Sequence, residues 1–472
     1  MHPGPRRLKP ILIGFSHALL VLILSAFAYR QYGFAGPLTR DDAIYLYSGQ
    51  QMARGIPPYL SIWDHKGPLA PMIAGVGAWI APWLGIEDIL SVRLVFFAIS
   101  LLSVVAVYLL ASDLLDSRAM GLVAAFLFLN FWGFGRHAGS GPRAKTAMLL
   151  FGVLALWLTS RRRWFWAGLC GSLAFLTWQP TAIYPAAALA LALLQSEGRA
   201  RWPNALRVLA GVAVPLLTVS VYFALHGAFY ELFEGTILFN LVHLDRGEWS
   251  VASNVRQIQL AVYSGYTTAF VPLWLGLGML PVVLIHRLSR ARYRIGRWLS
   301  SDPFCALLLT APLPLAWSLL DFQWYPDFYI FLPYAAVGLA WALASGYRAL
   351  KQTGKAAQTA ALVLACAILV SSAAYDYRQT SSGALADQRA WAEEAVSRYG
   401  GERVLSIGVP EALVVLHRTN PIPYVFLING IDNRIEATTP GGFEGWLEEL
   451  ATYSPDVIFY GSTRGRFAPH LE

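Results

Sequence analysis

Asp41 and Asp42 stand side by side in the loop that follows the chain's first apolar run. Tyr45, Tyr47, Arg54, Tyr59 and Trp63 come after them, and the loop closes on Asp64-His65-Lys66-Gly67-Pro68. A carboxylate held at such a place can take the proton of an attacking hydroxyl. A lysine can neutralise the charge that grows on a phosphate leaving group. Together they suit a reaction between a lipid-borne group and something in the aqueous space. Plainer readings stand beside these. Thr39 or Asp41 could cap a helix through residues 43–53, where the dipole favours acids. Lys66 could snorkel at an interface, and Asp64 could orient Lys66 or cap the next turn. Arg54 and His65 are further candidates for contact with the phosphate or substrate.

Three more loops are rich in polar and aromatic residues. The stretch 135–145 is basic and glycine-rich, with Arg136, His137, Arg143 and Lys145, and reads either as an anion contact for donor phosphates or as a solvated loop. Lys145-Thr146 resembles the end of a nucleotide-binding P-loop, but no glycine precedes the lysine and no strand leads into it, so a nucleotide is excluded. His243, Asp245, Arg246, Glu248 and Trp249 read as a surface lid. Trp324-Tyr325-Pro326-Asp327-Phe328-Tyr329 offers aromatic faces for a sugar, with Tyr325 foremost, or forms an interfacial aromatic belt. Cys170, Cys305 and Cys366 all lie in apolar runs, which gives neither a metal spacing nor a disulfide framework. No cofactor and no metal is expected.

The elements that must position these residues are membrane helices. Of 472 residues, 56% are hydrophobic and 14% charged, and the mean hydropathy is positive, which excludes an ordinary soluble globule. The net charge of +8 sits in short clusters between apolar runs, the pattern of cytoplasmic loops and not of a nucleic-acid surface. Residues 11–28 read as a retained anchor. Further runs cover 93–111, 119–134, 146–158, 165–178, 181–194, 208–225, 262–285, 305–320, 328–344 and 357–374, which makes about eleven spans.

The stretch 68–84 is apolar but short and proline-bearing, and charge decides its status. If it does not cross and the N-terminus is cytoplasmic, Arg6, Arg7 and Lys9, Arg118, Arg161 to Arg163, the 199–207 arginines, the 287–297 arginines, and Arg348, Lys351 and Lys355 all face the cytoplasm. If it crosses, every cluster after the first flips outward, against the positive-inside rule. Residues 68–84 are therefore expected to be juxtamembrane or re-entrant. Loops 29–92, 135–145, 226–260 and 321–327 and the C-terminal tail then face outside. The tail alternates strand-like 404–408 and 456–460 with helical 442–452, turns at Pro410 and Asn429-Gly430 between them, as in a small α/β domain. The expected architecture is an all-α polytopic membrane domain over 1–374, with juxtamembrane helices in its first outer loop, and an extracytoplasmic α/β domain over 375–472.

At these residues the chain resembles the GT-C superfamily of membrane glycosyltransferases, in the branch of the protein O-mannosyltransferases and aminoarabinose transferases. Members carry an acidic pair in the first outer loop, matched by Asp41-Asp42 and followed by Tyr45 and Tyr47. A Lys-Pro-Pro-Leu element is matched by Lys66-Gly67-Pro68-Leu69, with one proline replaced. A Phe-Leu-Thr-Lys-Pro phrase is matched by Phe175-Leu176-Thr177-Trp178-Gln179-Pro180, without the lysine. An aromatic Leu-Pro phrase near the last spans is matched by Tyr329-Ile330-Phe331-Leu332-Pro333. The resemblance implies an inverting transfer, in a cell membrane, from a polyprenyl-phosphate sugar to a glycan, lipid or protein acceptor outside the cytoplasm. Asp41 would be the base, Asp42 its support, Lys66 the donor-phosphate contact with Arg143 or Arg136, and Tyr45, Arg54, His65 and Tyr325 the substrate contacts. Many members place a second acid in the second outer loop, where this sequence has Arg136, Arg143 and Lys145 but no carboxylate. A metal-independent reaction is the simpler expectation. The competing class is a polyprenyl-lipid flippase or transporter, which would place ionisable groups at mid-membrane in repeated halves.

Overall fold

A computed structural model describes residues 5–243, 250–350, 384–427 and 430–461 of the chain. Helix α1 (Pro5–Tyr29) carries the first apolar run. After a linker come α2 (Arg40–Ala53), α3 (Leu69–Leu84) and α4 (Asp88–Leu114), then α5 (Arg118–Leu129), α6 (Trp132–Ala138), α7 (Ala144–Ser160), α8 (Trp164–Thr177) and α9 (Ile183–Gln195). The chain continues through α10 (Arg201–Leu225), α11 (Phe229–Phe233), α12 (Phe239–Val242), α13 (Val251–Tyr266), α14 (Phe270–Arg290), α15 (Ile295–Ser301), α16 (Cys305–Thr310), α17 (Pro312–Leu320) and α18 (Leu332–Leu350). The C-terminal part holds α19 (Leu385–Tyr399), α20 (Pro410–Leu416), α21 (Ile431–Thr438) and α22 (Gly442–Tyr453), with strands β1 (Val404–Ile407) and β2 (Val457–Tyr460).

Among the described residues four helical stretches are long and apolar enough to cross a membrane: Asp88–Leu114, Gly198–Leu225, Val251–Arg290 and Tyr325–Ala349. Two bent pairs raise the number to six, one turning by 76° after Leu129 and one by 111° before Cys305. The sequence led to about eleven spans, and the described residues hold four to six stretches of that length and apolarity. Hydropathy registers apolar content but not direction. The run 119–134 breaks at Asn130, and α6 turns aside to bury Trp132 and Phe134 in the core. The run 262–285 straddles the junction of α13 and α14, where Thr267 adopts a φ of 41°. Much of the loop expected at 226–260 is helical, in α11, α12 and α13. The run 357–374, the lid residues Asp245, Arg246, Glu248 and Trp249, and Asn429 lie outside the described residues.

Helix α3 has 16 residues, about 24 Å at 1.5 Å per residue, short of the roughly 30 Å hydrocarbon core. One face packs on α2 and α4, while Val76, Trp79, Trp83 and Leu84 stay exposed. Helix α10 likewise exposes Leu206, Leu209, Leu217, Val221 and Leu225, a surface that suits lipid better than water. Its inner face meets α8 at very close range. A Cβ on Gly168 would lie 2.2 Å from the Val208 carbonyl oxygen, and one on Gly211 would lie 2.0 Å from that of Phe165. Small residues at such crossings let membrane helices approach backbone to backbone.

Among the described residues two large hydrophobic cores result, beside a small cluster of Tyr45, Ala70 and Ala144. The larger joins α4, α5, α7, α8, α9, α14 and α18. The second gathers Leu38, Tyr47, Tyr59 and Trp63 of the first loop with Val404, Leu413, Val425, Ile431 and Trp446 of the C-terminal part. Strands β1 and β2 pair in parallel, Val404 opposite Val457 and Ile407 opposite Tyr460. The C-terminal elements thus share one core with the loop that carries the acids.

Candidate active site

The acid pair lies at the start of α2. Thr39 is its N-cap, and Asp42 closes a capping box. The Thr39 hydroxyl donates to Asp42 Oδ2 at 2.7 Å, the Thr39 amide donates to the same oxygen at 3.3 Å, and the Asp42 amide donates back to Thr39 Oγ1 at 3.4 Å. This reciprocal arrangement satisfies amides that a helix start leaves free. Of the two residues named as possible caps, Thr39 takes the place, with Asp42 as its partner, and Asp41 does not. The capping turns the neighbours apart: the Asp42 side chain is fully buried, while that of Asp41 is 54% exposed.

Arg143, the residue before α7, ties the second loop to this turn. Its Nη1 lies 3.4 Å from Asp41 Oδ2, its Nε 3.2 Å from Asp42 Oδ1, and its Nη2 donates to Thr39 Oγ1 at 3.2 Å. Burial pushes the Asp42 carboxyl above its ordinary value, even against Arg143 and the Thr39 bonds. Partial burial acts the same way on Asp41, but the charges of Lys66, Arg143, Lys145 and Arg40 outweigh it and hold that carboxyl below the usual range. Asp41 is therefore the accessible member of the pair, and the one whose carboxyl is held below the usual range.

Lys66 comes to the same place from the far end of the loop. Gly67 seats it: a Cβ there would lie 2.1 Å from the Leu176 carbonyl oxygen, so the backbone lies directly on the end of α8. The replaced proline of the Lys-Pro-Pro-Leu element thus has a steric cause. The Tyr59 hydroxyl donates to the Lys66 carbonyl at 2.7 Å. The ammonium lies 5.7 Å from the centre of the Tyr45 ring and has no ion pair among the described residues. Burial works against its charge, but Tyr45, Asp64 and Asp41 prevail and keep it protonated, above the ordinary lysine value.

The remaining candidates divide. Tyr325 lies within electrostatic reach of Arg143 and both acids, and its hydroxyl meets His137 Nε2 at 2.5 Å. Arg136 is exposed, its guanidinium 5.1 Å over the Trp132 ring. Arg54 is a correction. It is the C-cap of α2, at the opposite end from the acids, and donates to the His417 carbonyl at 3.1 Å. Thirteen helical steps, about 20 Å, remove it from the cluster. His65 is a second correction, as a cation for the phosphate. It stacks on Phe239 at 5.8 Å, and burial pushes its imidazole down to about 4, so at neutral pH it carries no charge.

The sequence reading missed several partners. Buried Asp327 pairs with Lys145 and accepts the Gln323 amide at 2.8 Å, so an acid from the fourth loop meets the second loop, which has none of its own. It lay inside the aromatic phrase already singled out. Arg93 of α4 donates to the carbonyls of Phe34 and Gly36, and Gln388 of α19 bonds both the amide and the carbonyl of Leu38. These fix the linker that delivers Thr39 and the acids, and nothing local in the sequence marked them. Among the described residues no group of three or more His, Cys, Asp or Glu side chains is placed to share a metal ion.

The sequence model of the DolP-mannose mannosyltransferase family matches residues 55–221. No curated protein matches the chain. Among solved structures, the chain is similar to the oligosaccharyltransferase AglB of Archaeoglobus fulgidus, in complex with an inhibitory peptide and a dolichol-phosphate: 17% identity, TM-score 0.53, covering 92% of this chain and 68% of that one. It is also similar to ArnT of Cupriavidus metallidurans bound to undecaprenyl phosphate: 15% identity, TM-score 0.57, covering 96% of this chain and 90% of that one. At such identities the likeness is one of fold.

Proposed function

We propose that this chain, which has the GT-C membrane fold, is a glycosyltransferase that moves a hexose such as mannose from a polyprenyl-phosphate carrier to an acceptor hydroxyl on the outer side of a cell membrane, with inversion. The observation that carries the reading is the convergence of an exposed, ionised Asp41 with a lysine that has no ion pair, Lys66, close enough for its charge to act on the carboxylate. The family match over 55–221 and the lipid phosphates bound by the fold's neighbours support it.

In this reading Lys66 holds the donor phosphate, and Arg143 shares that charge. Asp41 accepts the acceptor's proton while the acceptor oxygen attacks the anomeric carbon from the face opposite the phosphate. The bond from that carbon to the phosphate oxygen breaks, and its electron pair leaves with the lipid phosphate. A carboxylate held below its usual range is a weak base. Proton transfer then lags bond breaking, which suits a sugar whose transition state resembles an oxocarbenium ion. Asp42 keeps the turn in place through Thr39 and Arg143.

The test is transfer from radiolabelled polyprenyl-phosphate sugars by the protein reconstituted in vesicles. Asp41→Asn should lose activity by about a hundred- to ten-thousand-fold, with an unchanged elution profile and melting temperature. Full activity in that variant would remove Asp41 as the base. Movement of intact donor across the bilayer without release of lipid phosphate would point to a flippase.

A further inference from the structure

The second loop meets the fourth at a histidine that the proposed chemistry leaves unused. His137 of α6 is 6% exposed. Its Nε2 lies 2.5 Å from the Tyr325 hydroxyl, and its Nδ1 lies 3.2 Å from Ser140 Oγ. Ser140 sets the direction of the protons in this chain. Its hydroxyl donates to the His137 carbonyl at 3.3 Å, so toward the ring its oxygen can only accept. Nδ1 therefore carries the imidazole proton. The ring is buried, and among the described residues no carboxylate bonds it, which favours the neutral form. A neutral imidazole that donates from one nitrogen accepts at the other. Nε2 is then the acceptor, and the Tyr325 proton points at it.

The rest of Tyr325 is held by its surroundings. A Cβ on Gly265 would lie 2.3 Å from Cγ of its ring, and one on Gly133 would lie 3.1 Å from Cδ2, so two glycines let backbone close on the ring. The Tyr266 hydroxyl donates to the Tyr325 carbonyl at 3.1 Å. What stays variable is rotation about one C–O bond, and His137 fixes it. With its proton committed, the phenol oxygen keeps a lone pair that can only accept. The same residue lies within electrostatic reach of Arg143, Asp41 and Asp42. An acceptor there is complementary to a substrate hydroxyl and not to an ionised phosphate, whose oxygens also only accept.

We infer that His137 is a positioning residue: held by Ser140, it takes the Tyr325 proton and so presents the phenol oxygen to a hydroxyl of the substrate beside Asp41. The inference rests on the glycosyltransferase reading, which brings hydroxyl-bearing molecules to that acid. The hydroxyl belongs either to the donor's sugar or to the acceptor, and toward Tyr325 the two have the same chemistry. His137 touches neither and acts only through the phenol.

The test is the rate of transfer from radiolabelled undecaprenyl-phosphate mannose by the reconstituted full chain. Tyr325→Phe should lower kcat/KM about tenfold, the worth of one good hydrogen bond, and His137→Ala by about as much. The double variant should stay within about twofold of either single one, because His137 has nothing to orient once the phenol is gone. His137→Gln, whose amide oxygen can stand where Nε2 does, should recover most of the loss. Binding of bare undecaprenyl phosphate should stay within about twofold in every variant. A matching loss in binding of undecaprenyl-phosphate mannose would assign the hydroxyl to the donor's sugar, whereas unchanged binding with slower transfer would assign it to the acceptor. Losses that multiply in the double variant, no rescue by glutamine, or no loss in either single variant overturn the positioning role and leave the glycosyltransferase reading intact. A wild type that neither binds these lipids nor transfers mannose overturns that reading, and the positioning role with it.

Discussion

Asp41 and Asp42 are chemically identical neighbours that the fold gives opposite environments. Burial raises the Asp42 carboxyl against Arg143 and the capping bonds of Thr39, while four surrounding cations hold Asp41 low. A consequence at this scale concerns pH. A base must be ionised to act, so the acid limb of activity attributable to Asp41 should fall below its ordinary value of 3.8. Arg143→Ala removes one of the cations that lower Asp41 and should move that limb toward neutral pH, as read from the profile of kcat/KM in reconstituted enzyme. A limb that stays put, or moves to lower pH, would show that Arg143 does not govern the ionisation of the base. The capping half of the residue-level reading was legible in Thr39 and the acids that follow it. The partition between the two acids was not, because Arg143 lies a hundred residues away in the chain.

The elements that matter most are the first loop and the C-terminal segment folded against it. The Trp63 amide donates to the Pro423 carbonyl at 2.8 Å, and the Asn420 amide donates to the Tyr47 hydroxyl at 2.9 Å. Arg434 of α21 forms the strongest clamp. It grips Glu234 through two bonds of 2.8 Å and lies 3.7 Å over the Trp63 ring. Both members of this ion pair are buried, so removing one strands the other. Arg434→Ala should cost about 3–5 kcal/mol of stability, seen as a lower unfolding midpoint in detergent. Arg434→Lys should recover only part, because lysine keeps the charge and loses the planar fork. An unchanged midpoint in the alanine variant would make the clamp dispensable. The strands and the helix of the tail were readable from pattern, β1 and β2 falling within 404–408 and 456–460. Their docking on the acid-bearing loop was not, since it depends on backbone carbonyls and lone side chains that follow no period.

For the whole molecule, the open quantity is orientation. If α3 lies along the surface, as its length of about 24 Å allows, the basic clusters fall on one side and the C-terminal elements on the other. In a background without Cys170, Cys305 and Cys366, a cysteine in place of exposed Glu448 should react with an impermeant maleimide on intact cells. One in place of exposed Arg163 should react only after permeabilisation. The reverse pattern would invert the proposed topology and move Asp41 to the cytoplasmic side.

By itself the sequence determined that this is a helical membrane protein, because composition and the recurrence of apolar runs reflect the thickness of a bilayer and little else. It also offered a helix start at Thr39 or Asp41 and pointed to the loops that hold chemistry, since polar clusters are costly in so apolar a chain. Only the tertiary structure decided which apolar runs stay straight, for the bends after Leu129 and before Cys305 answer to packing and not to hydropathy. It alone brought Lys66 within electrostatic reach of Asp41 and kept His65 neutral. Those outcomes depend on burial and on charges brought close from distant parts of the chain, and no local pattern of residues encodes either.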